Sequence, residues 1–279
     1  MSQTPPTRPA EAAYRQAAQD ISALHWRNDG FGRGRRVLPV EAPVALVHDA
    51  TTTAVMMASP QHLEDLALGF AFTEGIITTV SQVRSLEIVE SHQGFEARMW
   101  LTPDRSAHLS ERRRTLVGPT GCGLCGIESL EQAVRDLPEA PPGPRLSPQD
   151  VLQAAAAIAE AQSLGQTTRA THAAALWTQD LGLVAAREDV GRHNALDKLV
   201  GALLREQADV GASAIVLTSR VSIEMIQKSA ILGAPIIIAV SAPTTLAVEA
   251  AERSGMTLIG IARSDGFEIF TGANRIRET

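Results

Sequence analysis

Cys122 and Cys125 are the only thiols in the chain, three positions apart in Gly121-Cys122-Gly123-Leu124-Cys125-Gly126. The surrounding glycines leave both thiols accessible and bring backbone N–H groups close. Helical periodicity resumes at Ile127, so the positive end of a helix dipole is expected to favour thiolate. An accessible thiolate can attack the outer sulfur of a donor persulfide and then hold that sulfur as its own persulfide. The spacing also suits other chemistry. Cys-x-x-Cys is half of a zinc site, but there is no second pair and only histidines could complete the set. A dithiol redox centre is a further reading, although the motif does not follow a thioredoxin-like first strand. Two cysteines meeting in a loop by chance is the bland one. His62-Leu63-Glu64 ahead of Cys-x-x-Cys also has the order of a zinc deaminase. There, however, Gly121 stands where a proline belongs, and His62 falls in the first turn of a helix. The expectation is a metal-free loop with no tightly held zinc, because two thiols do not close a zinc site.

A second group of candidates comes from the pattern that would hold them. After Pro148 the sequence alternates strands and helices: strand 172–177, strand 183–186, helix 192–205, strand 214–217, helix 223–232, strand 236–240, helix 245–254, strand 257–261 and a last strand over 268–271. Alternation of this kind predicts a mainly parallel sheet with helices on both faces. The unbroken apolar run Ile236-Ile237-Ile238-Ala239-Val240 suits a strand buried on both sides. Open α/β sheets bind ligands beyond the carboxyl ends of their strands. Those ends read Thr218-Ser219-Arg220, Ser241-Ala242-Pro243-Thr244-Thr245 and Arg263-Ser264-Asp265-Gly266. Hydroxyls, helix N-termini, Arg220 and Arg263 would converge there on phosphate. The same residue types also serve as plain helix caps. No glycine-rich dinucleotide fingerprint or P-loop is present, which argues against a standard NAD or ATP site.

The first half reads as a separate α+β unit. Residues 1–35 look like a flexible tail, with a short helix conceivable over 12–24. Structure begins near residue 36 and runs to about 138. It has a hairpin of strands 44–47 and 54–57, a helix after Ser59-Pro60, and a second hairpin around Gly94. Ser59 is the expected helix cap. Leu63, Leu66, Ala67 and Phe70 form one buried face, and Gly75 ends the element. The cysteine loop and a helix carrying Ile127, Leu130, Val134 and Leu137 complete the unit. Residues 139–147 are a proline-rich linker, and 148–279 form the α/β unit expected to bind a cofactor. That unit opens with a helix started by Ser147-Pro148-Gln149-Asp150 and running to about 164, where Gly165 stops it.

With 279 residues, 44% hydrophobic and 20% charged, the chain is an ordinary globular protein. Its formal charge of −6 argues against general nucleic-acid binding. Two small basic clusters, Arg33/Arg35/Arg36 and Arg112/Arg113/Arg114, read as solvated stretches or local anion or partner contacts. No apolar run is long enough to span a membrane, and the first thirty residues lack a signal-peptide core. A cytoplasmic location, with free thiols, is expected.

Several segments together resemble the formate dehydrogenase accessory sulfurtransferase family, FdhD, from about residue 39 to 275. They are Val55-Met56-Met57-Ala58-Ser59-Pro60, Thr73-Glu74-Gly75-Ile76-Ile77, the cysteine loop, Arg187-Glu188-Asp189-Val190-Gly191-Arg192-His193-Asn194-Ala195-Leu196-Asp197-Lys198, Glu224-Met225 with Lys228, and Ser241-Ala242-Pro243-Thr244. The resemblance implies a sulfurtransferase that accepts sulfur from a cysteine desulfurase. It would pass that sulfur to the molybdenum bis(molybdopterin guanine dinucleotide) cofactor, held as a substrate, before insertion into formate dehydrogenase. It also implies a cytidine-deaminase-like core without zinc, a homodimer, Cys122 as the persulfide cysteine with Cys125 assisting, and cofactor contact at Phe270, Thr271, Gly272, Ala273, Asn274 and Arg275. The polar group at Asp189, Arg192, His193, Asn194 and Asp197 is read as a wall of the cofactor site, with Arg192 or His193 meeting phosphate or pterin. A helix cap with a salt-bridged first turn is the competing account. The chain departs from the family's usual pattern at Arg169, Ala170, Ser219 and Glu268, which bears on the cofactor contacts and the client. The alternative function is a chaperone that carries the cofactor without covalent sulfur transfer.

Overall fold

The computed structural model describes residues 16–116 and 136–278. A four-stranded sheet, ordered β4-β3-β6-β5, is built from β3 (Ala42–His48), β4 (Thr51–Ala58), β5 (Val83–Ser91) and β6 (Gly94–Leu101). Val44, Leu46, Ala97 and Met99 alternate onto one face and pack on helix α1 (Leu63–Thr73). Helix α2 (Pro103–Leu116) follows β6. The cap of α1 differs from expectation. His62, in the left-handed region, occupies the N-cap, and Ser59 is fully buried three residues earlier with partners elsewhere.

The larger sheet has six strands in the order β12-β11-β10-β9-β7-β8: β7 (His172–Thr178), β8 (Gly182–Asp189), β9 (Ala214–Leu217), β10 (Ile236–Ala239), β11 (Thr257–Arg263) and β12 (Gly266–Thr271). The sheet is mixed. Strands β9, β10 and β11 pair in parallel, whereas β7 and β12 are antiparallel to their neighbours. The expected mainly parallel sheet therefore holds only for its centre. Short turns at Thr178–Gly182 and Arg263–Gly266 replace crossover helices, and a two-stranded turn forces antiparallel pairing. One face is covered by α3 (Pro148–Ala161); the other carries α5 (Arg192–Glu206), α6 (Ile223–Leu232) and α7 (Thr245–Arg253). A capping box forms at Ser147 and Asp150, with bonds of 3.2 and 2.7 Å. The helix after it stops at Ala161, and a short helix α4 (Ser163–Thr168) contains Gly165. The break is fixed by Glu188, whose carboxylate accepts from the N–H groups of Leu164 and Gly165 at 2.9 and 2.7 Å.

Residues 18–39 differ most from the sequence reading. Instead of a tail or helix they form a ribbon, β1 (Ala18–Arg27) paired antiparallel with β2 (Gly30–Pro39). Asn28-Asp29-Gly30 makes its turn, with Gly30 at φ +117°. The glycines at 30, 32 and 34 weaken the hydrophobic alternation that would have announced a strand. The expected helix from Ile127 falls mainly outside the described residues; Leu137 is described and is not helical, but it packs on the core of the larger sheet.

Candidate functional site

Strand β8 ends at Asp189 and the chain turns through Val190 and Gly191 into α5. Asp189 is fully buried and organises that turn. Its Oδ1 accepts from Gly191 N–H at 2.8 Å and Asn194 Nδ2 at 3.0 Å. Its Oδ2 accepts from Ser59 N–H at 3.0 Å and forms an ion pair of 2.6 Å with Lys198. Ser59 answers with its other groups: Oγ accepts from Val190 N–H at 3.2 Å and its carbonyl from Lys198 Nζ at 2.8 Å. Asn194 donates to the Met57 carbonyl at 2.8 Å. The end of β4 is thus fastened to the turn between β8 and α5.

A second buried ion pair lies along the α1–α5 contact. Lys228, on α6, reaches both oxygens of Asp197 at 2.8 and 3.0 Å, and Thr73 donates to Asp197 at 2.9 Å. Burial pushes the Asp197 carboxyl up and the Lys198 ammonium down, each opposed by its partner's charge. Asp65 holds Arg187 at 2.9 Å and Arg205 at 3.0 Å. Within the expected polar wall, Asp189 and Asn194 are therefore buried and bonded to each other, and Asp197 is buried in the second ion pair. They join the two sheets' layers, and Arg192 and His193 remain the residues of that group with access to the surface.

Arg192 and His193 form the first turn of α5, whose N-cap, Gly191, supplies no side-chain cap. The Nε of Arg192 is buried and has no hydrogen-bond partner among the described residues. Burial and the Arg192 charge lower the His193 pKa to about 4, although Glu224 opposes them. His172, at the start of β7, is lowered by burial and by Arg192 and Arg220. All these groups share one edge of the sheet, because β8, β9 and β11 end there and β7 begins there. At a strand spacing of about 4.8 Å, the strands leading to Arg192, Arg220 and Arg263 (β8, β9 and β11) are each two places apart, roughly 10 Å, and about 20 Å in all. Such an edge, with an orphaned guanidinium donor at an uncapped helix N-terminus, can hold a long polyanion.

The structure brings Arg192, His193, Arg220 and Arg263 to this edge. It places Phe270–Arg275 at the opposite one, where β12 ends beside the start of β11. Arg275 is fully engaged there: Nε donates to Pro142 O at 2.6 Å, Nη2 to Pro141 O at 2.9 Å, and Nη1 to Gly255 O at 2.8 Å. Thr271 bonds Met256 and Leu258, and the Gly272 carbonyl accepts from Thr257. Ala273 and Asn274 are exposed. Cys122 and Cys125 lie outside the described residues. His172 was not among the sequence candidates; the signal for it was a histidine opening a strand, and it lies in register opposite Asp189, the last residue of β8. Hollows of about 360 and 520 Å³ occur elsewhere, on the four-stranded sheet and the ribbon. The edge is singled out by charge and an unmet donor, not by a cavity.

These features define a mixed α/β protein with a cationic edge, its buried ion pairs bonded to Ser59 and Thr73 of the smaller layer. Residues 39–277 match the FdhD/NarQ family, and the chain belongs to that family. It is 47% identical over 267 residues to the sulfur carrier protein FdhD of Agrobacterium fabrum, covering 95% of this chain and 97% of that one. It is 44% identical over 263 residues to the protein of the same name from Brucella abortus, covering 94% and 98%. Among solved structures, one described as a formate dehydrogenase accessory protein from Desulfotalea psychrophila superposes with a TM-score of 0.75 at 25% identity, covering 94% of this chain and 100% of that one.

Proposed function

We propose that the protein carries sulfur during maturation of formate dehydrogenase, taking it as a Cys122 persulfide and delivering it to the molybdenum bis(molybdopterin guanine dinucleotide) cofactor bound as substrate. The structural observation that carries the substrate half is the row of Arg192, Arg220 and Arg263, with the orphaned Nε of Arg192 at the start of α5. The names of the relatives support the sulfur half, as does a glycine-flanked thiol pair in the sequence. In the loading step the Cys122 thiolate attacks the outer sulfur of a desulfurase persulfide. One S–S bond forms, one breaks, and the desulfurase cysteine leaves as thiolate. Cys125 assists. On the cationic edge, Arg192 and Arg220 hold phosphate oxygens, and neutral His172 and His193 offer hydrogen bonds to phosphate or pterin.

The test is mass spectrometry of the intact chain after incubation with a cysteine desulfurase and cysteine. The reading expects one added sulfur on the peptide containing Cys122, lost in Cys122→Ser and retained, at reduced rate, in Cys125→Ser. A clean spectrum would replace it with carriage of the cofactor without covalent transfer.

A further inference from the structure

The cationic edge also carries a carboxylate. Glu224 stands in the first turn of α6, four residues beyond Arg220 in the chain. Arg192 and His193, in the first turn of α5, are near enough to shift its ionisation. The other acidic groups of this region are engaged or stand in the open. Asp189 and Asp197 are buried in their ion pairs, and Glu74 lies 3.6 Å from Lys228. Glu188 accepts from Leu164 and Gly165, and Asp265 is exposed in the turn between β11 and β12. Glu224 is half-buried and forms no ion pair among the described residues. Burial raises its carboxyl, but the Ser222 hydroxyl, its own N–H and the charges of His193 and Arg192 bring it below its ordinary value. Ser222 Oγ, though close to that carboxylate, is buried outside good hydrogen-bond geometry with any described group. This stretch of the edge therefore holds two unmet donors, Arg192 Nε and Ser222 Oγ, together with a carboxylate that has no ion-pair partner.

A carboxylate at this place repels phosphate, so phosphate binding alone does not account for it. An acidic residue in a first helical turn does favour the helix dipole. What it adds for a ligand is a pair of acceptor oxygens side by side. Their complement is a ring edge with two parallel N–H donors, since a carboxylate accepts such a pair bidentately and charge assistance strengthens both bonds. A 2-amino-4-oxopyrimidine ring has that edge, a ring N–H next to an amino group, and both guanine and pterin contain it. Adenine sets a bare ring nitrogen beside its amino group, and its lone pair would face the carboxylate. We propose that Glu224 is a specificity-determining residue of the cationic edge. It accepts the ring N–H and the amino group of a 2-amino-4-oxopyrimidine while Arg192 and Arg220 hold phosphate. The inference rests on the reading of this edge as the cofactor site and adds the group that tells one ring from another.

The test is isothermal titration calorimetry of the full chain, with the melting temperature read on every variant. Two pairs of probes are used. Guanosine diphosphate against xanthosine diphosphate exchanges the amino group of guanine for a carbonyl, and pterin against lumazine makes the same change in a pterin ring. Inorganic pyrophosphate reports the arginines alone. The wild type should prefer the amino member of at least one pair by about tenfold or more, the size expected of hydrogen bonds to a charged group. Glu224→Gln, whose amide offers one donor and one acceptor, should reverse that preference while pyrophosphate binds no more weakly than before. Glu224→Asp keeps the charge and should keep the order. Reversal in the nucleotide pair assigns Glu224 to guanine, and reversal in the other pair assigns it to pterin. Equal weakening of both members, or a lower melting temperature with the preference intact, means a helix-end role and overturns the proposal. Tightening of both members along with pyrophosphate means simple repulsion and overturns it too. A wild type that binds none of the probes overturns the cofactor reading of the edge and this inference with it. A wild type that binds them without preference leaves that reading standing and overturns this inference alone.

Discussion

His193 shows how one residue of the cationic edge ties ligand binding to stability. Its folded pKa is about 4, set first by burial and then by Arg192, against about 6.5 in an unfolded chain. Below pH 6.5 the unfolded state therefore takes up the proton more readily, and acid favours unfolding. The contribution is complete above pH 6.5 and is lost as pH falls towards 4. His62 and His172 are shifted in the same direction. Urea unfolding should give a smaller stability at pH 5 than at pH 7, and His193→Gln should narrow that gap. An equal gap in both proteins would mean that His193 titrates normally. The arginines give a second prediction. A guanine nucleotide at a hundred times its dissociation constant should stabilise the fold by roughly 2.7 kcal/mol, seen as a rise in melting temperature. Arg192→Ala and Arg220→Ala should shrink that rise while leaving the free protein's melting temperature nearly unchanged. Arg275→Ala should do the reverse, since its guanidinium donates to three backbone carbonyls. If Arg275→Ala removes the nucleotide effect and Arg192→Ala does not, the ligand sits on the opposite edge.

At the scale of elements, the α1–α5 crossing explains what was legible in the sequence and what was not. The boundaries of α6 and β9 fall where periodicity placed them, because each is a short apolar pattern ending at a glycine or a polar turn. The ends of α5 and β10 agree to within a residue. The buried roles of Asp189, Asp197 and Lys228 were not legible, because each meets a partner 31 to 155 residues away or across a turn that only the fold creates. Arg192 and His193, read with them as one polar wall, stand at the surface edge, and nothing in the sequence separates them from their buried neighbours. The crossing itself depends on two glycines. A Cβ on Gly69 would strike the Asp197 carbonyl, and one on Gly201 the Asp65 carbonyl. Glycine costs an ordinary helix about 1 kcal/mol relative to alanine, so an isolated helix would gain from Gly69→Ala. Here the clash is with backbone, which cannot rotate away, and overpacking of about 1–3 kcal/mol or more should win. Gly69→Ala and Gly201→Ala should each lower the urea midpoint. A raised midpoint would show that the helices can part freely.

Over the whole molecule, the two sheets with their helices are joined by groups that are costly to leave unpaired. Asp189 and Lys198 are both fully buried, and their partners Ser59 and Asn194 span both layers, Asn194 also donating to the Met57 carbonyl. Lys228 ties α6 to α5 through Asp197 and to α1 through Thr73 and, at 3.6 Å, Glu74. Such pairs need not add much net stability over an apolar contact, since desolvation offsets most of the attraction. Their effect is on cooperation: pulling the layers apart breaks the bonds these pairs make to Ser59 and Thr73 and parts Asp65 from Arg187 and Arg205. Removing one member is then expensive, about 3–5 kcal/mol for a buried pair. Lys198→Met leaves the Asp189 carboxylate buried without its ammonium, and Asp189→Asn with Lys198→Met removes both charges while keeping the amide's hydrogen-bonding shape. Calorimetry of the wild type should show one transition for both layers. Lys198→Met should lower it sharply or split it in two, with the four-stranded sheet and α1 melting first. The double variant should recover much of the loss, because the uncompensated charge is gone. Two transitions already present in the wild type would mean that the layers fold independently. A double variant as weak as Lys198→Met would place the joint in the lost Ser59 carbonyl bond instead of the charge pair.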